Sequence, residues 1–228
     1  MKLSVIIPVY NEPDTILKVV ERVRNCGVQD LDIVIVDDGS SDTTPAKLQD
    51  ISNGDRVTIL RHNVNRGKSA AIRTAQPHVS GDAVVVQDAD LEYVPEELPR
   101  LVEPIEQDRA DVVYGSRYSG TEILVDSFWH YAANKMLTLF SNMLANIHLT
   151  DMETCYKVIR RDIFQSITIE SDRFGIEPEL TAKLAKRNCR IYEVPISYNA
   201  RRRTEGKKIK WQDGLAALWF IIKFNLFR

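Results

Sequence analysis

Short apolar runs rich in β-branched residues punctuate the first half of the chain: Val5-Ile6-Ile7, Ile33-Val34-Ile35-Val36, Val57-Thr58-Ile59-Leu60, Val84-Val85-Val86 and Val112-Val113-Tyr114. Continuous apolar runs of this length read as strands buried on both faces. Between them apolar residues fall at helical spacing, as at Ile16, Val19, Val20 and Val23. The alternation predicts an α/β fold with a parallel, doubly wound sheet, whose ligand crevice lies beyond the carboxyl ends of the strands.

Those ends are polar. The fourth run stops at Asp88-Ala89-Asp90, and a period of two points both carboxylates to the same side. Paired carboxylates at the mouth of a core are costly without a partner, and a hard divalent cation with oxygen ligands suits them, bringing a phosphate with it. The first run leads into Pro8-Val9-Tyr10-Asn11-Glu12, where the ring can stack on a base and Asn11 can cap the next helix. The second leads into Asp37-Asp38-Gly39-Ser40-Ser41-Asp42, where a serine or Asp42 can cap and one aspartate can accept from base or ribose. After the third, Asn65-Arg66-Gly67-Lys68-Ser69 lacks the upstream glycine of a P-loop, since His62 stands there. A glycine turn with Lys68 at a helix start survives, suited to a phosphate or to solvent. The fifth run ends in Gly115-Ser116-Arg117.

Composition narrows the class. A chain of 228 residues fits one large domain. A formal net charge of -2 gives no reason to expect a nucleic-acid partner. Cys26, Cys155 and Cys189 form no Cys-x-x-Cys pair, which favours reduced thiols in a cytoplasmic setting. The first apolar stretch is too brief for a signal peptide and is expected to be the first strand.

Five of these segments, taken in order, resemble the family 2 glycosyltransferases of the GT-A fold, and within them the dolichol-phosphate mannose synthase-like branch: residues 5–12, 36–42, 65–68, 88–91 and 115–117. The resemblance spans residues 3 to 211 and implies a Rossmann-like, mostly parallel sheet with helices on both faces. It implies nucleotide-binding positions at Pro8, Tyr10, Glu12, Asp37, Asp38, Lys68, Asp88 and Ala89. Asp88 and Asp90, with Glu92 where relatives often carry Gln, would hold Mg²⁺ or Mn²⁺. Arg117 resembles the arginine that meets phosphate, so Asp90, Arg117 and Arg201 form the catalytic set. A cation and Arg117 would stabilise the charge that builds on a departing nucleoside diphosphate, while the sugar passes through an oxocarbenium-like state.

The second half is less regular. Phe128 to Ile147 predicts a long helix, and core packing is the first explanation for its apolar stripe of Tyr131, Leu137, Leu139, Phe140, Met143 and Leu144. His130 and His148 at its ends lack metal-ligand spacing and are expected to be ordinary polar residues. In Thr150-Asp151-Met152-Glu153-Thr154-Cys155-Tyr156-Lys157, Asp151 and Glu153 can bind sugar hydroxyls or sit as solvated acids in a helix-to-strand turn. Pro178 separates Glu177 from Glu179 where hydroxyl-accepting relatives place an acidic doublet as general base. A phosphate acceptor needs cations instead, and Arg201, Arg202, Arg203, Lys207, Lys208 and Lys210 supply them. The stretch resembles the family's acceptor loop, with Arg201 at its recurring arginine, and the resemblance implies that Arg117, Arg201 and Lys207 meet the acceptor phosphate.

The C-terminal segment 211–228 follows a catalytic domain of residues 1–210 and carries Leu215, Leu218, Trp219, Ile222 and Phe224 among basic residues. Its apolar run is too short to span a bilayer, and an interfacial amphipathic helix, a core helix and a dimer helix all suit it. The reading reached is an inverting transferase moving a hexose from a nucleotide sugar, GDP-mannose or a UDP-sugar, to a polyprenyl phosphate at the cytoplasmic face of a membrane. Its rivals are a saccharide-hydroxyl acceptor and a non-catalytic sugar-nucleotide-binding adaptor.

Overall fold

In a computed structural model the described residues are 1–51, 56–120, 127–173, 175–200 and 211–227. The five expected runs become β1 (Lys2–Val9), β2 (Asp30–Asp37), β3 (Val57–Arg61), β4 (Ala83–Val86) and β5 (Val112–Ser116). Two further strands, β6 (Lys157–Arg160) and β7 (Ile191–Pro195), join them in one sheet of order β3-β2-β1-β4-β6-β5-β7. β6 has only two apolar residues and β7 is half-exposed along its length, so neither carries the apolar run that marks the others.

The sheet is mostly parallel, with one reversed strand. β1 pairs in parallel with β2 and β4, β2 with β3, and β5 with β7. β6 lies antiparallel between β4 and β5, with Tyr114 opposite Lys157 and Ala83 opposite Arg160. This reversal positions the site: the residues that precede β6 in the chain emerge at the same edge as the residues that follow β1, β2, β4 and β5. Segment 150–156 thus meets Arg117 through Asp151, and Lys68, the partner of Asp88, through Cys155, although it lies on the other side of its strand.

Helices α1 (Ile16–Arg24), α2 (Thr44–Gln49), α3 (Lys68–Ala75), α4 (Leu98–Glu106), α5 (Phe128–Ala145), α6 (Arg161–Ser166), α7 (Ile176–Lys186) and α8 (Trp211–Leu226) complete the described fold. The amphipathic α1 buries Ile16, Val19, Val20 and Val23, the positions its spacing singles out. One contiguous core joins β1, β2, β4, β5 and β6 to α1, α3 and α4. Asn146 closes α5 in the left-handed region at φ 52°.

The α5 stripe does not pack as expected. Leu137 is buried, together with the polar Thr138 and Ser141, while Phe128, Tyr131, Leu139, Phe140, Met143 and Leu144 are exposed. The core needs only a narrow seam of α5, so the rest of a broad apolar face is left outside. α8 packs against both α5 and α7. It buries Ala217, Ile221 and Phe224 and exposes Leu215, Trp219, Leu226 and Phe227. Among the described residues, no helix is long and apolar enough to cross a membrane.

Candidate active site

At the end of β1, Pro8 lies opposite Val36, and Tyr10 is exposed at the rim. Asn11 adopts φ 51° and clasps the β2 loop: its amide donates to Ser40 Oγ at 3.0 Å and its Oδ1 accepts from the Ser41 amide at 3.0 Å. It does not cap α1, which starts four residues beyond Glu12 with Thr15 before it. The Glu12 amide donates to Thr44 Oγ1 at 2.9 Å. The Thr15 hydroxyl stands 2.6 Å from the Ala89 carbonyl and 3.1 Å from Glu12 Oε2, which ties the β1 loop to the β4 end.

The two aspartates after β2 diverge, as alternation along an extended strand requires. Asp38 is buried and saturated: Oδ1 faces His62 Nδ1 at 2.7 Å and accepts from the Arg66 amide at 2.9 Å, and Oδ2 accepts from the Gly67 amide at 2.7 Å. It therefore shapes the 65–67 turn. Gly67 sits at φ 94°, where a Cβ would come within 2.5 Å of the Arg173 backbone, so this turn and the start of α3 require glycine. Asp37 points the other way, accepting from the Ser40 amide at 2.9 Å, with Oδ2 3.2 Å from Arg61 Nε but not aligned for a hydrogen bond. It borders a groove of about 300 Å³ shared with Leu48, Ile51 and Ile59.

At the β4 end, Lys68 dominates. Its ammonium lies 2.8 Å from Asp88 Oδ1, 3.0 Å from Glu177 Oε1 and 3.4 Å from Cys155 Sγ. Burial works against that charge, but Asp88, Cys155 and Glu177 outweigh it and hold Lys68 well above the usual lysine range. Asp90 Oδ1 accepts from the Glu92 amide at 3.1 Å. The Tyr198 hydroxyl donates to Glu92 Oε2 at 2.5 Å.

Beyond β5, Asp151 grips Arg117. Oδ2 accepts from Arg117 Nε at 2.7 Å and Oδ1 from Nη2 at 2.8 Å, a two-point contact, and the Arg117 amide adds a third at 3.1 Å. The guanidinium lies 5.0 Å from the Tyr198 ring centre and 5.6 Å from that of Tyr118. Asp151, expected at the sugar, is fully buried and acts by fixing Arg117. Glu153 is largely enclosed, with Oε1 lacking a hydrogen-bond partner. Burial, reinforced by Glu177, pushes its carboxyl up to about 7 against the opposing pull of Lys157.

The acids on α7 also separate. Glu177 faces the crevice through Lys68, whereas Glu179 is fully buried, accepting from the Glu170 and Ser171 amides and from Lys183 at 2.6–2.8 Å. Arg201 and Lys207, with the rest of the basic loop, lie outside the described residues. The structure adds Tyr93, Tyr118, Tyr198 and Lys157 to the expected set. Tyr93 packs at a tilt against Tyr156 at 4.7 Å and edge-on to Tyr198 at 5.2 Å, and it belongs to no motif in the sequence. Of these added residues only Lys157 stands in a segment singled out above, residues 150–157.

A divalent cation fits this edge in one specific way. Among the described residues, no group of three or more His, Cys, Asp or Glu side chains gathers to form an all-protein cage. Mg²⁺-type sites use one or two carboxylates and complete the shell with water and substrate phosphates. Asp88 and Asp90, just past the end of β4, are the residues that would supply that donor set.

An open, mostly parallel sheet with an Asp-x-Asp after β4 and an arginine after β5 at the same sheet edge is the kind of scaffold that nucleotide-sugar transferases use. The chain belongs to glycosyl transferase family 2, whose model matches residues 4–168. It is 32% identical over 212 residues to the dolichol-phosphate mannosyltransferase of Pyrococcus furiosus, covering 91% of this chain and 59% of that protein. It is 31% identical over 211 residues to the undecaprenyl-phosphate 4-deoxy-4-formamido-L-arabinose transferase of Klebsiella pneumoniae, covering 90% of this chain and 62% of that one. The chain thus spans about three-fifths of the length of these relatives. Its fold matches glucosyl-3-phosphoglycerate synthase of Mycobacterium tuberculosis, crystallised with Mn²⁺, UDP-glucose and phosphoglyceric acid, at a TM-score of 0.74 and 18% identity, covering 98% of this chain and 79% of that one. The same enzyme has also been crystallised with Mg²⁺ and UDP. The GT-A fold expected from the motifs is therefore present.

Proposed function

We propose that this protein transfers a hexose, with inversion, from a nucleotide sugar to a polyprenyl phosphate. The observation that carries the reading is the Asp151-fixed Arg117, an enclosed guanidinium at the strand edge next to the Asp88–Ala89–Asp90 end. The relatives in the dolichol- and undecaprenyl-phosphate transferases support a lipid phosphate as acceptor. A phosphate oxygen attacks the anomeric carbon, the bond to the diphosphate breaks, and the nucleoside diphosphate departs.

The chain's residues serve that displacement separately. Tyr10, Glu12 and the β2 loop receive the nucleoside. Lys68 lies beside Asp88, where its charge favours the diphosphate. Asp88 and Asp90 would hold Mg²⁺ or Mn²⁺, which neutralises charge on the leaving group when bound. Arg117, with Arg201 and Lys207 of the basic loop, holds the acceptor phosphate; Glu153 is assigned to the sugar side. A phosphate nucleophile needs no strong base, and the acids on α7 are not arranged as one: Glu177 is paired with Lys68 and Glu179 is built into the fold.

The lipid acceptor is met at a membrane surface. α5 and α8 lie side by side and together expose Phe128, Trp129, Leu139, Met143, Leu215 and Trp219, with Trp129 78% and Trp219 58% exposed. So broad a patch on two adjacent helices suits a helix pair resting in the lipid interface. The proposed setting is the cytoplasmic face, as a peripheral protein. The test is incubation with radiolabelled GDP-mannose or UDP-glucose, a divalent cation and a short polyprenyl phosphate. Label in the organic phase supports the proposal; donor turnover with all label in water rejects it.

A further inference from the structure

The Arg117–Asp151 pair has no net charge, and this matters for any anion bound beside it. Asp151 takes both Nε and Nη2 of the guanidinium at 2.7–2.8 Å, so the arginine offers its remaining edge but the pair offers no uncompensated cation. A phosphate monoester carries close to two negative charges near neutral pH, its second pKa being about 6. Binding it here calls for positive groups beyond this pair; Arg201 and Lys207 are assigned to it above, and a further cation from the folded helices would add to them.

Lys135 on α5 is placed to be that group. Its ammonium donates to the Thr150 carbonyl at 2.9 Å and lies 4.7 Å from the Tyr118 ring centre and 5.7 Å from that of Tyr131. Arg117 packs against the same Tyr118 ring at 5.6 Å, so both cations lie against one ring. Lys135 is half-buried, and among the described residues no carboxylate forms an ion pair with it. An ammonium has three donor hydrogens, and the Thr150 carbonyl engages one. Its neighbour Asn134 reaches Asp151 Oδ1 at 3.3 Å, which fixes this turn of α5 against the Arg117 support. The same helix carries exposed Phe128, Tyr131 and Leu139, one or two turns from Lys135.

We propose that Lys135 is an acceptor-positioning residue that adds its positive charge to that of Arg201 and Lys207 for a phosphate monoester held beside Arg117. This rests on the phosphate-acceptor reading above and extends it to a residue outside the recognisable motifs. Two sources share the chemistry, a lipid phosphate at the membrane and a small soluble phosphate ester.

The experiment compares wild type with Lys135→Gln and Lys135→Arg in the full chain. Glutamine keeps a donor for the Thr150 carbonyl and loses the charge; arginine keeps the charge. With a short polyprenyl phosphate as acceptor, Lys135→Gln is expected to raise the acceptor KM by about tenfold or more, the loss of one charge-assisted contact, and to flatten its salt dependence. Nucleoside diphosphate affinity and the thermal midpoint stay near wild type, and Lys135→Arg recovers most of the acceptor affinity. Glycerol phosphate in a parallel arm separates the sources: competition with equal strength on a per-phosphate basis assigns the site to phosphate esters in general, and weak competition assigns it to the lipid. An unchanged acceptor KM in Lys135→Gln, or a loss that arginine does not restore, overturns the inference while leaving phosphate transfer standing. Wild-type transfer to saccharide hydroxyls alone, with none to either phosphate, overturns both.

Discussion

The Lys68 ammonium lies 2.8 Å from Asp88, so the first acid of the Asp-x-Asp is neutralised by a lysine from the start of α3, 20 residues earlier in the chain. Glu177 shares that lysine from α7 at 3.0 Å. Lys68→Met is expected to lose nucleoside diphosphate affinity and to lower stability by about 2–4 kcal/mol, because it leaves Glu177 enclosed without its cation. Adding Glu177→Gln is expected to return much of the stability and none of the affinity, a coupling readable from denaturant midpoints and diphosphate titrations.

Asp90→Ala is expected to abolish metal-dependent binding of nucleoside diphosphate and sugar transfer, with the fold intact. Asp88→Ala acts in the same direction with a smaller effect. Isothermal titration with UDP or GDP, with and without Mn²⁺, checks this; full metal-stimulated binding in Asp90→Ala contradicts it.

Asp151→Asn leaves an enclosed guanidinium without its carboxylate. A cost of about 3–5 kcal/mol in stability is expected from breaking such a pair, alongside a fall in kcat/KM. The double variant Asp151→Asn with Arg117→Gln recovers stability and stays inactive. A wild-type rate in Asp151→Asn contradicts its role in fixing Arg117.

Glu153 gives the protein a pH signature. Its carboxyl is raised from 4.5 to about 7 in the folded state. Between those values the folded protein binds more protons than the unfolded chain, so stability falls as pH rises through that window and levels off above it. The rise corresponds to roughly 3 kcal/mol. Glu153→Gln is expected to flatten the curve, measured by urea denaturation from acid to neutral pH. A wild-type curve in the variant contradicts this.

Trp129 and Trp219 are solvent-exposed, so replacing both with serine spares the core. Sedimentation with anionic vesicles is expected to fall by at least about tenfold in partition coefficient, since interfacial aromatics supply much of such binding. Unchanged partition assigns the α5–α8 face to something other than lipid.

How far the sequence reaches is visible residue by residue. β1 to β5 are legible because burial on both faces writes a continuous apolar run. β6 is not, because four residues with a buried lysine carry no period. Asp88 and Asp90 are legible because chemistry concentrates at a strand end. Asp38 and Asp151 stand in the expected motifs, yet their carboxylates are spent on Gly67 and Arg117, a distinction that depends on which backbone amides fold back towards them. The α5 stripe reads as core because periodicity reports how much of a helix is apolar, not how much of it finds a neighbour. Lys135 and Tyr118 are invisible in the sequence, since they meet only through α5 docking on the β5 end.

The most direct measurement of the account is one reaction holding labelled nucleotide sugar, divalent cation, a short polyprenyl phosphate and a free saccharide at equal concentration. Label is expected in the organic-extractable product, lost in Asp90→Ala, and reduced about tenfold or more in Arg117→Lys, which keeps charge but loses the two-point contact with Asp151. Glu177→Gln is expected to retain substantial transfer. Label on the saccharide instead, with transfer abolished in Glu177→Gln, contradicts the phosphate acceptor and installs Glu177 as the base of a hydroxyl-directed enzyme.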